Sequence, residues 1–417
     1  MLLKFIFFKT MFNFRSEDFD SRLLVTALIL SLIGIFLIYS AKHYSTFVAE
    51  RGIYLKQMVW LFLSFCACAI VFFIPLRFYE AFSYVLYFMA VGTLLIILIF
   101  GSSKMGAARW FSSGGFNIQP SEFAKIATVF ALSRYLAYSK RSIYSFRWLG
   151  VVMGIVLLPT LLILKQPDLG TSLVFLAILI SMLFWAGVPI FYLFLIVSPF
   201  ISLICAFHWA AWASFFLLLV FLLYRIRLSF LFSVSFLLLN LAFGMITPLV
   251  WNRLYDYQKD RIIVFLDPGK DPRGAGYQII QSKIAIGSGA LLGKGYLEGT
   301  QTKLAFLPHQ HTDFVFSVLG EEFGFCGALV LLGLFSFLII KGIMIAHKTR
   351  NAFSSNVALG VTTILAFQML VNIGMAVGFL PVTGLPLPFV SYGGSSLLSS
   401  WILVGLLLAI HYRWYEY

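Results

Sequence analysis

The residues best suited to chemistry lie in one long polar stretch, Trp251–Phe314, of an otherwise apolar chain. It holds the carboxylates Asp256, Asp260, Asp267, Asp271, Glu298 and Asp313. Among them stand Arg253, Lys259, Arg261, Lys270, Arg273, Lys283, Lys294 and Lys303. A carboxylate can take a proton, and clustered cations can hold an anion. Asp267 and Asp271 sit in DPGKDP, where each Asp-Pro step also reads as a plain turn. Lys294, between Gly293 and Gly295, matches only a fragment of a phosphate-loop pattern. A stretch this long with no clear helical pattern is functional or disordered. Its aromatics, β-branched residues and spaced glycines argue against disorder.

The rest of the chain sets where this stretch must work. Of 417 residues, 61% are hydrophobic and 11% charged; the mean hydropathy is +0.96. Repeated apolar runs of membrane-crossing length predict an all-α, polytopic integral membrane protein of about 10–12 transmembrane helices. Short alternating strands of a transmembrane barrel are absent from the pattern. The net charge of +14 is that of basic cytoplasmic loops beside anionic membrane lipid, and nucleic acid is not expected as a partner. Cys66, Cys68, Cys205 and Cys326 all fall in apolar runs, which argues against a disulfide framework. The N-terminus, residues 1–22, reads as a cytoplasmic or interfacial segment rather than a cleaved signal.

The candidate spans are Leu23–Tyr39, Met58–Pro75, Tyr79–Phe100, Pro120–Ala137, Trp148–Leu164, Leu169–Ala186, Pro189–Ala206, Ala210–Tyr224 and Leu228–Val250, filling residues 23–250. Phe314–Ile340, Val357–Leu380 and Val390–Ile410 follow in residues 314–417. With the N-terminus inside, the cytoplasmic loops hold Arg77, then Lys140, Arg141 and Arg147, then Arg225 and Arg227, then Lys341, Lys348 and Arg350. These clusters agree on one orientation. Residues 251–313 then form a large extracytoplasmic loop, and a basic loop there points to an anionic ligand.

Ionisable groups near the spans are few. In RWFSSGGFNIQPSEFAK, Pro120 suits a first helical turn. Glu122 and Lys125 share a helix face; they are a local ion pair or, with Arg109, the lining of a polar pocket. In QPDLG, Asp168 stands at a helix start, where it caps free N–H groups, either as a cap alone or with a part in the site. Asp313, after His311 and Thr312, can cap the next helix in the same way. Glu321 and Glu322 lie about 12 Å into that helix and need partners. Leu380–Ser396, LPVTGLPLPFVSYGGSS, cannot be continuous helix. It predicts a broken or re-entrant segment facing a cavity.

Five motifs occur in one order: QPSEFAK, QPDLG, DPGKDPRGAGYQIIQSKIAIGSGALLGKG, HTDFVFSVLGEE and PFVSYGGSS. On these, over roughly Leu23 to His411, the chain resembles the shape, elongation, division and sporulation glycosyltransferases, the RodA and FtsW proteins of bacteria. YDYQKDRIIVFLDP and GYLEGTQTKLAFLPHQHTDF resemble the elongation members more than the septal ones. The family usually has ten spans, so the resemblance implies an extra helix pair within 189–250.

The resemblance implies a multi-pass enzyme of the bacterial inner membrane, a peptidoglycan glycosyltransferase of cell-wall synthesis, cell shape and the cell cycle. Its substrate would be lipid II, a disaccharide-peptide on undecaprenyl pyrophosphate. An acceptor hydroxyl needs a base, and the departing pyrophosphate needs positive charge. In the family the second aspartate of DPGKDP is the essential one, and septal members can carry Asn at the first. Asp271 is therefore the expected catalytic residue. Arg109, Glu122, Lys125, Lys283, Lys294, His311, Asp313 and Ser391 are the expected substrate contacts. Asp267, Asp168, Glu321 and Glu322 would support them. A divalent cation, Mg or Mn, could serve the pyrophosphate, though no ligand cluster proves it. The partner would be a class B penicillin-binding protein, a transpeptidase docking near the last spans, whose small residues allow close helix approach. A lipid II flippase or a septal polymerase is the alternative, and a non-catalytic scaffold a third. Broken helices and intramembrane charges suit transport, but transport does not require the external carboxylate loop.

Overall fold

The computed structural model describes residues 19–43, 52–100, 110–113, 116–139, 145–226, 230–254, 276–304 and 310–414, with 259, 264, 267, 269, 271, 306 and 308 between them. Each apolar run becomes a helix. The first six are α1 (Ser21–His43), α2 (Ile53–Phe73), α3 (Leu76–Phe100), α4 (Pro120–Tyr138), α5 (Phe146–Lys165) and α6 (Leu169–Trp185). Then come α7 (Ile190–Cys205), α8 (Trp209–Ile226) and α9 (Phe230–Arg253). The polar stretch contains α10 (Tyr277–Ser288) and the single turn α11 (Thr300–Lys303). The last three are α12 (Val315–Lys348), α13 (Ala352–Val377) and α14 (Gly394–Tyr412). Among the described residues, nine helices are long and apolar enough to cross a membrane, and α6 and α7 are shorter apolar helices.

Two features depart from the sequence reading. Phe111–Ser113 (β1) and Phe116–Ile118 (β2) form a small antiparallel ribbon ahead of α4. The amphipathic α10 also went unseen, because its buried stripe is Ile279, Ser282 and Ala285 rather than large apolar residues. The expected break before α14 is present. Gly378 ends α13 in the left-handed conformation, and residues 380–393 contain no helix, as three prolines require.

One large core joins α1–α6 to α12–α14, with α2 lying along α14 and α12 along α13. Helices α7–α9 close on a second, smaller cluster of Leu195, Leu219, Leu223, Phe232 and Phe236. Many large apolar side chains point outward, among them Phe88, Phe100 and Leu217, as bilayer-facing helices require. At one end Lys341 Nζ meets Asp20 Oδ2 at 2.8 Å. Burial alone would raise the Asp20 carboxyl, but the Lys341 hydrogen bond and charge hold it below the usual carboxylate range. The contact is therefore kept at neutral pH and lost as pH falls through that lowered value.

The orientation has a direct test. In a cysteine-accessibility scan with twelve spans and both termini inside, Gly269→Cys should label from outside. Arg227→Cys, which lies outside the described residues, should label only after permeabilisation. External labelling at Arg227→Cys would refute the count.

Candidate functional site

The loop closes just after DPGKDP. Asp271 is exposed, and its backbone carbonyl accepts from Gly276 N at 3.0 Å, one residue before α10. Asp267 is exposed too, but its Oδ1 accepts from Gly269 N at 3.2 Å, the local turn expected of Asp before Pro-Gly. The two aspartates thus differ: Asp267 holds a turn, whereas Asp271 leads into an anchored helix.

That helix is fastened between α12 and α13. Ser282 Oγ lies 2.6 Å from Ser317 Oγ and donates to Ala376 O at 2.6 Å. One position on, the Lys283 side chain lies across Gly378, where any Cβ would collide with its Cε. Gly378, at φ +84°, suits glycine by its conformation. Lys283 itself is exposed, beside the carbonyl end of α13, where a cation is favoured.

Several expected substrate contacts make hydrogen bonds and ion pairs within the fold. Lys294 pairs with Glu321 Oε1 at 2.8 Å and also reaches Thr300 Oγ1 at 2.7 Å. Glu321 is fully buried and accepts from Gln301 N (3.0 Å) and from Thr302 N and Oγ1 (3.3 and 3.2 Å). It therefore ties two parts of the loop to α12, and the lysine's charge is spent on it. Glu322 accepts from Ser40 Oγ on α1. Ser391 is buried, donates to Thr312 O at 2.6 Å and accepts from Leu387 N at 2.8 Å. It fastens the broken segment to the His311–Asp313 turn, where His311 O accepts from Tyr392 N. The N-cap of α12 is Phe314, with no side-chain cap. The Asp313 carbonyl, just before it, accepts from Asn372 Nδ2 at 3.0 Å.

Glu122 and Lys125 form a 2.7 Å ion pair, 2% and 1% exposed, and Glu122 Oε2 accepts from Ser399 Oγ on α14 at 2.7 Å. This corrects the expected charged cavity, because the pair is enclosed. An open groove of about 390 Å³ does lie beside α4, but it uses other residues of that helix. Pro120, Phe123 and Phe130 face Leu86, Phe111 and Ile402 there, and among the described residues no charged group lines it. Arg109 lies outside the described residues. Asp168 caps α6 through Thr171 N (3.2 Å) and Thr171 Oγ1 (2.9 Å), as its position predicts, and also accepts from Gln119 Nε2 at 3.4 Å. Sequence reasoning missed Ser399, Ser40 and Gln57; Gln57 bridges Ser391 O and Gly393 N. Their only signal was a polar residue inside an apolar run.

The chain is similar to known proteins over nearly its whole length. The family model described as "Cell cycle protein", FTSW_RODA_SPOVE, matches residues 20–215 and 211–416. The peptidoglycan glycosyltransferase MrdB of Escherichia coli (strain K12) is 36% identical over 398 residues, covering 94% of this chain and 93% of that one. The peptidoglycan glycosyltransferase RodA of Treponema pallidum is 37% identical over 431 residues, covering 95% and 98%. A structure described under structural coordination of polymerization and crosslinking by a peptidoglycan synthase complex matches with TM-score 0.71 and 27% identity, over 96% of this chain and 99% of that one. The crystal structure of the Thermus thermophilus rod shape determining protein RodA matches with TM-score 0.62 and 25% identity, over 95% and 98%.

Proposed function

The chain belongs to the FtsW, RodA and SpoVE family of cell cycle proteins, and from that membership we propose how it works as a glycan polymerase. It is a multi-pass protein of the bacterial inner membrane and a peptidoglycan glycosyltransferase. The substrate proposed is lipid II. The acceptor sugar's 4-hydroxyl attacks the anomeric carbon of the growing strand, the bond to the lipid pyrophosphate breaks, and the hydroxyl proton passes to Asp271. The observation that carries this reading is the exposed Asp271 carboxylate at the entrance to α10, which Ser282 anchors to two membrane helices.

Positive charge for the pyrophosphate falls to Lys283, with Lys270 and Arg273, which lie outside the described residues. Lys294 is committed to Glu321. The open apolar groove beside α4 suits the polyprenyl tail of such a substrate. Mg or Mn at the pyrophosphate is part of the same proposal. No group of three or more His, Cys, Asp or Glu residues gathers among the described residues. Such an ion would be held by one or two carboxylates and substrate phosphates, with the exposed Asp271 as one carboxylate that could contribute.

A crosslinking partner follows from the synthase complex that the fold matches. The partner proposed is a class B penicillin-binding protein docked near the last spans, raising turnover through α10. Polymerisation of purified lipid II should be slower by the isolated protein than by the pair. Equal rates would remove activation from the mechanism.

A further inference from the structure

Two polar contacts measure height along the bundle. Lys341 on α12 meets Asp20 at the start of α1, and Ser40 on α1 meets Glu322 on α12. From Asp20 on to Ser40 α1 climbs about 30 Å at 1.5 Å per residue, and Lys341 back to Glu322 covers a similar stretch of α12, with one break at Gly324. That equals the thickness of a bilayer's hydrocarbon core, so a bilayer crossed by these two helices would have its edges near the two contacts.

On this scale part of the polar loop would lie below the outer edge. Helix α10 descends beside the first turns of α12, with Ser282 against Ser317 and Gly289 against Gly320. At Gly324 (φ +62°, ψ −156°) α12 breaks, and the loop fills the break. Phe325 N donates to Ala290 O at 2.9 Å and Cys326 N to Leu291 O at 3.0 Å. The carbonyls those amides would have met in an unbroken helix, of Glu321 and Glu322, accept from Lys294 N and Gly295 N at 3.0 Å each. The descending tip is thus locked at the level of Phe325, about 24 Å from Lys341 by the same rise. A second ruler agrees: Tyr296 Oη donates to Phe36 O, also about 24 Å along α1 from Asp20. At this level Leu291 and Leu292 are 68% and 79% exposed, and Phe36 and Phe325 beside them are exposed as well.

We propose that the segment 289–297 is inserted into the outer leaflet, with Leu291 and Leu292 among lipid acyl chains and Tyr296 just inside the membrane–water boundary. The occupant of this face is lipid hydrocarbon, because the patch continues the bilayer-facing surface of α12 below the level of Glu322. Aromatic residues concentrate at that boundary, and apolar side chains on an interfacial segment bind it. The insertion stands without the catalytic reading. If Asp271 is the base, insertion holds its loop at the height where a lipid-linked sugar meets the membrane.

The test uses the full chain with its four native cysteines replaced, reconstituted in lipid nanodiscs. Leu292→Cys and, separately, Leu291→Cys carry an environment-sensitive fluorophore, with Glu298→Cys, on the exposed outer part of the loop, as the aqueous control. Both leucine positions should give blue-shifted emission, quenched by spin-labelled acyl chains and insensitive to aqueous iodide. Glu298→Cys should show the reverse. Iodide quenching at the leucine positions equal to that at Glu298→Cys would overturn the proposal. So would protection from both quenchers, which would mean that protein rather than lipid covers the patch.

Discussion

Asp271→Asn should lower glycan polymerisation by about 10²–10⁴-fold, the usual worth of a general base. The change keeps the side chain's size and removes its ability to take the hydroxyl proton. Stability should barely move, since Asp271 is exposed and surface substitutions are mostly mild; the turn to Gly276 uses its backbone carbonyl. Asp267→Asn should be far milder, because the carbonyl oxygen of Asn can accept from Gly269 N as the carboxylate does. Both variants are read by product gels at matched protein levels. Wild-type polymerisation by Asp271→Asn would remove the residue from the mechanism. Equal loss in both would assign the effect to the shared turn or to a shared cation.

Lys125→Ala should cost about 3–5 kcal/mol of stability, because it leaves Glu122 charged and enclosed without its partner. The pair is 1–2% exposed and hydrogen-bonded to Ser399, so water cannot screen the stranded charge. The thermal midpoint in detergent should fall accordingly. The double variant Glu122→Gln with Lys125→Met should recover most of that loss, since removing both charges spares the desolvation cost. It also separates structure from binding. Recovery of both stability and polymerisation would make the pair a fastening between α4 and α14. Recovery of stability alone would return Lys125 to the substrate.

What the sequence disclosed depends on how local each signal is. The helices were legible because hydropathy needs only neighbouring residues, and Asp168 was legible as a cap because Thr171 is three residues away. Glu122 and Lys125 were legible as a pair from their spacing. Their enclosure was not, because it depends on Ser399, 277 positions along the chain. Lys294 looked free among glycines, yet its partner Glu321 lies in the next membrane helix. Ser391 looked accessible in a Gly-Pro segment, but that segment folds back onto Thr312. The depth of the loop tip was invisible as well, since it depends on the exchange of backbone bonds at Gly324.

The most direct measurement is to give the purified wild-type protein lipid II and separate the products by size. The account predicts a ladder of glycan strands from this chain, with release of the lipid pyrophosphate. No polymer, alongside movement of lipid II across the bilayer of reconstituted vesicles, would contradict it and make this protein a transporter.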